Sequence, residues 1–191
     1  MKNILYLLTL LAFVACNSDN KSGFIEPEND EFASFLKHFK QTELPVAVKG
    51  CYEDIDGLTE FDGSNFSQFT DAYHFSYKQI PSNGNYIAVI SLQIADCFIP
   101  VLTTYKPDGT IIDKKVIAIG QCGHDCGYEC EEFMTIKADY SIYTSDTITS
   151  CECDDMWEII PGTCEDFVIY KEGKINNDGK IELSDEIKKP L

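Results

Sequence analysis

The chain has 191 residues, a formal net charge of −17 and 44% hydrophobic residues. That is one domain's worth of sequence, long enough to bury about 68–70% of its unfolded surface. With 32 acids and no arginine, it lacks the planar fork that grips phosphate, which argues against nucleic acid or anionic lipid headgroups as partners.

The N-terminus has one lysine, Lys2, ahead of an apolar run from Ile4 to Val14, followed by Ala15 and Cys16. A charged start, a short apolar core and a small residue before a cut describe a secretory signal over residues 1–15. The run falls short of the roughly 20 apolar residues that span a bilayer. Val14-Ala15-Cys16 resembles the lipobox of bacterial lipoproteins, with Phe13 standing where leucine is usual. In that family the cysteine becomes the mature N-terminus, carries a thioether-linked diacylglycerol and is N-acylated, commonly with palmitate. The resemblance implies a membrane anchor at Cys16, since each buried methylene contributes about 0.8 kcal/mol and two or three chains hold firmly. Residues 16–29 are polar and read as a flexible tether, a dozen of which reach about 20 Å. Ser18 and Asp19 resemble the export signal of Bacteroidetes-type lipoproteins, which implies the outer membrane and its outward face. Losing Lys2 with the signal leaves the mature chain at −18. That charge solvates the surface and discourages self-association.

The folded domain is expected over residues 30–191. Phe32, Phe35, Leu36 and Phe39 recur at i, i+3, i+4 and i+7 and predict a short helix over Asp30–Lys40, with Asp30 as N-cap and Pro45 as the stop. His38 lies off the apolar stripe and is expected in solvent. Phe66 and Phe69 suit one side of a helical turn. Beyond Pro45 the pattern becomes that of strands. Tyr73, Phe75 and Tyr77 alternate with His74, Ser76 and Lys78, which places His74 on the polar side. Tyr86–Ala95 and Phe98–Tyr105 are rich in β-branched and aromatic residues. Lys106-Pro107-Asp108-Gly109 suits a tight turn closed by a glycine bulge, so Ile111–Ile119 returns antiparallel. Met134, Ile136, Ala138, Tyr140 and Ile142 alternate strictly and predict one strand over residues 134–142. Thr147–Cys153 and Phe167–Tyr170 add strands, with turns at Glu172-Gly173 and Asn177-Asp178-Gly179. The sum is a mostly β domain, an antiparallel meander closed as a barrel or a sandwich, with one short N-terminal helix.

Leaving Cys16 aside, eight cysteines remain: Cys51, Cys97, Cys122, Cys126, Cys130, Cys151, Cys153 and Cys164. An even count in an exported chain indicates disulfides. Cys122, His124, Cys126 and Cys130 could alternatively offer zinc three thiolates and an imidazole, with Cys151 and Cys153 as a distant pair. The spacing is not that of a C-x-x-C redox motif. Topology favours staples. If the Asp108-Gly109 turn marks one end of the sheet, Cys97, Cys122, Cys126 and Cys130 gather at the other. Cys122 and Cys130 then flank a loop and bridge its ends. Cys126 reaches Cys151 or Cys153, Cys164 takes the other, and Cys51 pairs with Cys97 by elimination.

Neither Asp54-Ile55-Asp56-Gly57 nor Asn176-Asn177-Asp178-Gly179 has the flanking acids of a calcium loop. No nucleophile elbow, zinc-protease helix or phosphate loop occurs. The pairs Glu131-Glu132 and Asp154-Asp155 read as solvated, and Trp157, the single tryptophan, as a core or rim residue. No cofactor and no catalytic residue is expected. Taken whole, the chain resembles small Bacteroidetes-type lipoproteins, a resemblance that carries no assigned activity. The expectation is a lipid-anchored envelope protein that binds a protein or glycan, or supports an assembly, without catalysis. The competing expectation is an envelope hydrolase acting on glycans or peptides through paired carboxylates about 5–10 Å apart.

Overall fold

The computed structural model describes residues 23–50 and 56–191. The signal, Cys16, Cys51 and Asp54-Ile55 lie outside the described residues. Helix α1 (Asp30–Leu36) is followed by strands β1 (Lys40–Gln41), β2 (Val46–Val48), β3 (Glu60–Phe61), β4 (His74–Ile80), β5 (Ile87–Gln93), β6 (Ile99–Tyr105) and β7 (Ile111–Val116). Then come β8 (Tyr128–Ile136), β9 (Ser141–Ser150), β10 (Glu165–Ile175), β11 (Ile181–Leu183) and β12 (Ile187–Pro190). One sheet runs β1-β4-β5-β6-β7 with β3 beside β4; the other runs β11-β10-β9-β8-β2 with β12 beside β10. Apart from the parallel β1–β4 pair, the ladders are antiparallel.

The two sheets face each other across a shared core, so the sandwich is the closure that forms. Ile90, Leu92 and Leu102 from the first sheet meet Val48, Met134, Ile136 and Ile142 from the second. Polar stitches join them: the Thr104 hydroxyl donates to Gly179 O at 2.7 Å, and Ile181 N–H donates to Asp113 Oδ2 at 2.9 Å. The outer face of the first sheet is covered by α1. Phe32 and Phe35 pack there with Phe61, Phe69, Ile87, Val89 and Tyr105. Phe32 sits 5.0 Å from both the Phe69 and Tyr105 rings, and the Tyr105 hydroxyl donates to Phe69 O at 2.6 Å.

Several local expectations are corrected. Asn29, and not Asp30, caps α1, because its Oδ1 accepts N–H bonds from both Glu31 and Phe32. The helix ends at Leu36, and tighter turn bonds from His38 to Phe35 and Phe39 to Leu36 still bring Phe39 into the core. His38 is exposed as expected. His74 is buried beside Ser91, because the first sheet is covered on both faces and has no solvent side there. The strand expected over residues 134–142 is a hairpin: Lys137–Tyr140 turn back, with Tyr140 at φ 64° and Asp139 accepting from Ser141. Gly173 is no turn. It lies inside β10, where an added Cβ would sit 1.9 Å from Glu182 O on β11. The turns at Lys106–Gly109 and Asn176–Gly179 form as expected.

The sandwich has two distinct ends. At one, the described chain begins: Gly23 bridges to Ser82, and the adjoining turn at Gly84 abuts Asn177. Residues 23–28 lie against the body, with Ile25 on the aromatic cluster and Glu28 N–H bonded to Pro107 O. The other end lies beyond the start of β10, whose 11 residues span roughly 35 Å.

Candidate functional site: the disulfide-capped end

The far end collects three connections: residues 94–98 between β5 and β6, residues 117–127 between β7 and β8, and residues 151–164 between β9 and β10. Disulfides tie the second and third of these. Cys122–Cys130 closes the loop into β8, with Cα atoms 5.3 Å apart. Cys126–Cys153 joins that loop to the next at 6.3 Å, and Cys151–Cys164 closes the base of the last at 4.0 Å. The first bridge is the one expected, and Cys126 takes the second of its two candidate partners. The backbone explains the choice. Cys151 N–H donates to Gly127 O, and a Cβ on Gly127 (φ +67°) would meet Cys151 O at 2.7 Å, so Cys151 lies flat against the loop. Cys97 is also disulfide-bonded, and its expected partner Cys51 lies outside the described residues.

This arrangement does not fit zinc. Cys122, Cys126 and Cys130 contribute sulfurs already joined in disulfides, not thiolates, and His124 stands exposed. Cys122, Cys130 and Asp146 do cluster, their possible ligand atoms within 4.8 Å of one another. It is a disulfide beside an acid.

The acid belongs to a pair. Glu132 on β8 and Asp146 on β9 stand directly opposite in register. Both point into the sandwich, in line with Met134 and Ile136 on one strand and Ile142 and Ile148 on the other. Glu132 is 2% exposed and Asp146 0%. Asp146 Oδ2 accepts the Gln121 N–H at 2.8 Å, whereas Glu132 Oε1 and Asp146 Oδ1 have no hydrogen-bond partner among the described residues. Burial pushes the Glu132 carboxyl up to about 7, helped by the neighbouring Asp146 charge. Burial raises Asp146 to about 6, opposed by the Gln121 N–H and by Lys171 and reinforced by Glu186. With the Asp146 charge nearby, Glu132 holds its proton more firmly than a solvated glutamate does. The expectation that Glu131-Glu132 is solvated therefore holds for Glu131 alone. The signal was in the alternation: extending the inward row Ile136, Met134 back by two residues lands on Glu132.

Outside this pair lies an open cleft of about 540 Å³ lined by Asp96, His124, Tyr128, Glu129, Thr147 and Thr149, with the Cys122–Cys130 bridge in its wall. Beyond it projects the 151–164 excursion. Met156 is 77% exposed, Trp157 72%, Ile159 52% and Ile160 38%. Trp157 is a tip residue, neither core nor rim. The excursion is ordered by its own bonds. Asp154 Oδ1 accepts N–H bonds from Met156 and Glu158, both at 2.9 Å, and Cys153 bridges to Ile159. Glu152 N–H donates to the Thr163 hydroxyl, which donates in turn to Ile160 O.

No protein-family model matches the chain, and no curated protein or solved structure matches it either.

Proposed function

We propose that this protein is a lipid-anchored module of the cell envelope that binds another molecule and does not transform it. Cys16 carries the lipid, the tether leads to the sandwich, and the module sits on the outer membrane facing outward. The observation that carries this reading is the polarity of the body. Gly23, seven residues after Cys16, meets the sandwich at the end opposite the disulfide cap. Seven residues of chain reach at most about 25 Å even at full extension, so an anchor at Cys16 keeps the near end at the membrane and turns the cap away from it.

Binding is favoured over hydrolysis by where the unusual acids lie. Glu132 and Asp146 have the raised pKa values that acid–base work uses, but both are buried in the core. A glycosidase carboxylate must touch its substrate from an open cleft. The membrane link is tested by peptide mass mapping of the mature protein extracted from envelopes without reduction. The expected result is a lipidated Cys16 as the N-terminus. An unmodified Cys16, or a mature chain starting elsewhere, overturns the anchor. Protease treatment of intact cells is expected to digest the cap and tests the outward orientation.

A further inference from the structure

We propose that the stapled 151–164 excursion is a docking knob for a partner protein whose receiving groove is apolar and rimmed by lysine and arginine. This deepens the binding-module reading and rests on it.

The apolar residues come first. Met156, Trp157, Ile159 and Ile160 lie exposed within five residues, with no place in either core cluster. A cluster of this kind on a projecting loop is an interaction surface more often than an accident of composition. Tryptophan is among the residue types that most often dominate the energy of a protein interface.

Rigidity is the second observation. The excursion buries almost nothing, yet two disulfides hold its base and Asp154 ties its tip. Trp157 itself adopts φ 64°, a left-handed conformation unfavourable for a residue with a Cβ. A side chain held in place before binding loses less freedom when it docks.

Charge selects the partner. Glu152, Asp154, Asp155 and Glu158 surround the apolar residues, Glu165 and Asp166 follow, and no lysine occurs between Lys137 and Lys171. The field at the tip repels anionic headgroups and a second copy of the chain, and attracts a cationic rim. The tip also lies at the end away from the chain's first described residue, out of reach of the membrane that an anchor at Cys16 would engage.

The test uses the full chain in its native envelope, with the photo-crosslinker p-benzoylphenylalanine replacing Trp157. Parallel chains carry the same group at His124 in the cleft, or at Asn177 on the opposite end. Adducts are isolated and the joined peptide is identified by mass spectrometry. The expected result is a discrete protein adduct from position 157, through a peptide of apolar residues flanked by lysine or arginine. The double variant Asp155→Lys with Glu158→Lys should lower its yield at least tenfold. The proposal is overturned by an adduct to lipid or to a second copy, by a joined peptide without basic flanks, or by an unchanged yield on charge reversal. A blue shift of wild-type Trp157 fluorescence on phosphatidylcholine vesicles alone also overturns it, in favour of lipid. Adducts from position 124 or 177 but not 157 reject the knob and leave the binding module standing; none from any position rejects both.

Discussion

Replacing Glu132 by glutamine should make the protein more stable in mild alkali and leave it nearly unchanged in mild acid. The Glu132 carboxyl, ordinarily near 4.5, is pushed to about 7 by burial and by Asp146. Because the folded state holds this proton more tightly than the unfolded chain does, stability falls as the proton is lost. The contribution is fully present below the unfolded value and disappears as pH rises through the folded one, a window from about 4.5 to about 7. At about 1.4 kcal/mol per tenfold change in proton affinity, that displacement corresponds to on the order of 3 kcal/mol. Asp146 adds to the same slope, its carboxyl raised from 3.8 to about 6. The two contributions are linked, because the Asp146 charge is part of what raises Glu132.

Glu132→Gln keeps the shape of the protonated acid and removes its titration. The variant also relieves Asp146 of a neighbouring charge. At pH 8 it should therefore exceed the wild type by roughly 2–3 kcal/mol, which moves a urea midpoint by about 1 M for a domain of this size. At pH 4.5 the difference should fall within about 1 kcal/mol. The assay is equilibrium urea unfolding at pH 4.5, 6.5 and 8, followed by circular dichroism with the disulfides intact. Comparing variant with wild type at each pH cancels the general self-repulsion of a chain at −17. A gap that stays constant across the three pH values, or a variant less stable than wild type at pH 8, would refute the reasoning.

Asn29→Ala removes the acceptor for the Glu31 and Phe32 N–H groups and should cost about 1 kcal/mol in urea unfolding; Asp30→Ala, whose side chain caps nothing, should cost less. Replacing Cys151 and Cys164 together by serine opens a loop with a sequence separation of 13 and should lower stability by about 3 kcal/mol. Hydrogen exchange should then quicken at Glu158 and Ile160, whose N–H groups bond across the stapled loop to Asp154 and Glu152. Gly173→Ala forces a methyl group into the Glu182 carbonyl and should cost about 1–3 kcal/mol. Its signature is faster exchange at the β10–β11 ladder, with the β9–β10 ladder retained.

The antiparallel β fold was largely legible because its strands follow simple alternation and its turns use ordinary turn residues, whereas its closure as a sandwich and not a barrel depends on contacts between sheets that alternation does not record. Asp108-Gly109 and Asp178-Gly179 announce themselves. The Lys137–Tyr140 turn does not, since a tyrosine occupies the left-handed position and the apolar period of two runs on in the sequence through Ala138, which the bend leaves exposed. Gly173 misled in the opposite sense: its small size serves the close approach of β11, a tertiary requirement with no local mark. His74 was misplaced because alternation cannot tell whether the second face of a sheet meets water or a helix layer. Cys122–Cys130 was legible because both residues flank one loop. Glu132 was hidden by a chemical prior, that glutamate is solvated, which overrode a geometric pattern pointing inward.

The capped end differs in kind from the rest of the molecule. In the sandwich, shape follows from burial: Leu92, Leu102 and Ile136 hold their places because water is excluded from them. In the 151–164 excursion burial is almost absent, and ordering each residue still costs roughly 1–2 kcal/mol of backbone entropy. Disulfides offset that cost partly by restricting the unfolded chain, and the Asp154 turn fixes what remains. The fold therefore gains little from the apolar character of Met156 and Trp157, which stay 77% and 72% exposed, and only part of what it could from Ile159 and Ile160. Polar residues at those positions would satisfy the same backbone bonds and would remove an exposed apolar surface. Apolar side chains that folding leaves largely in water, on a loop immobilised covalently, support the proposal that this excursion docks against another molecule.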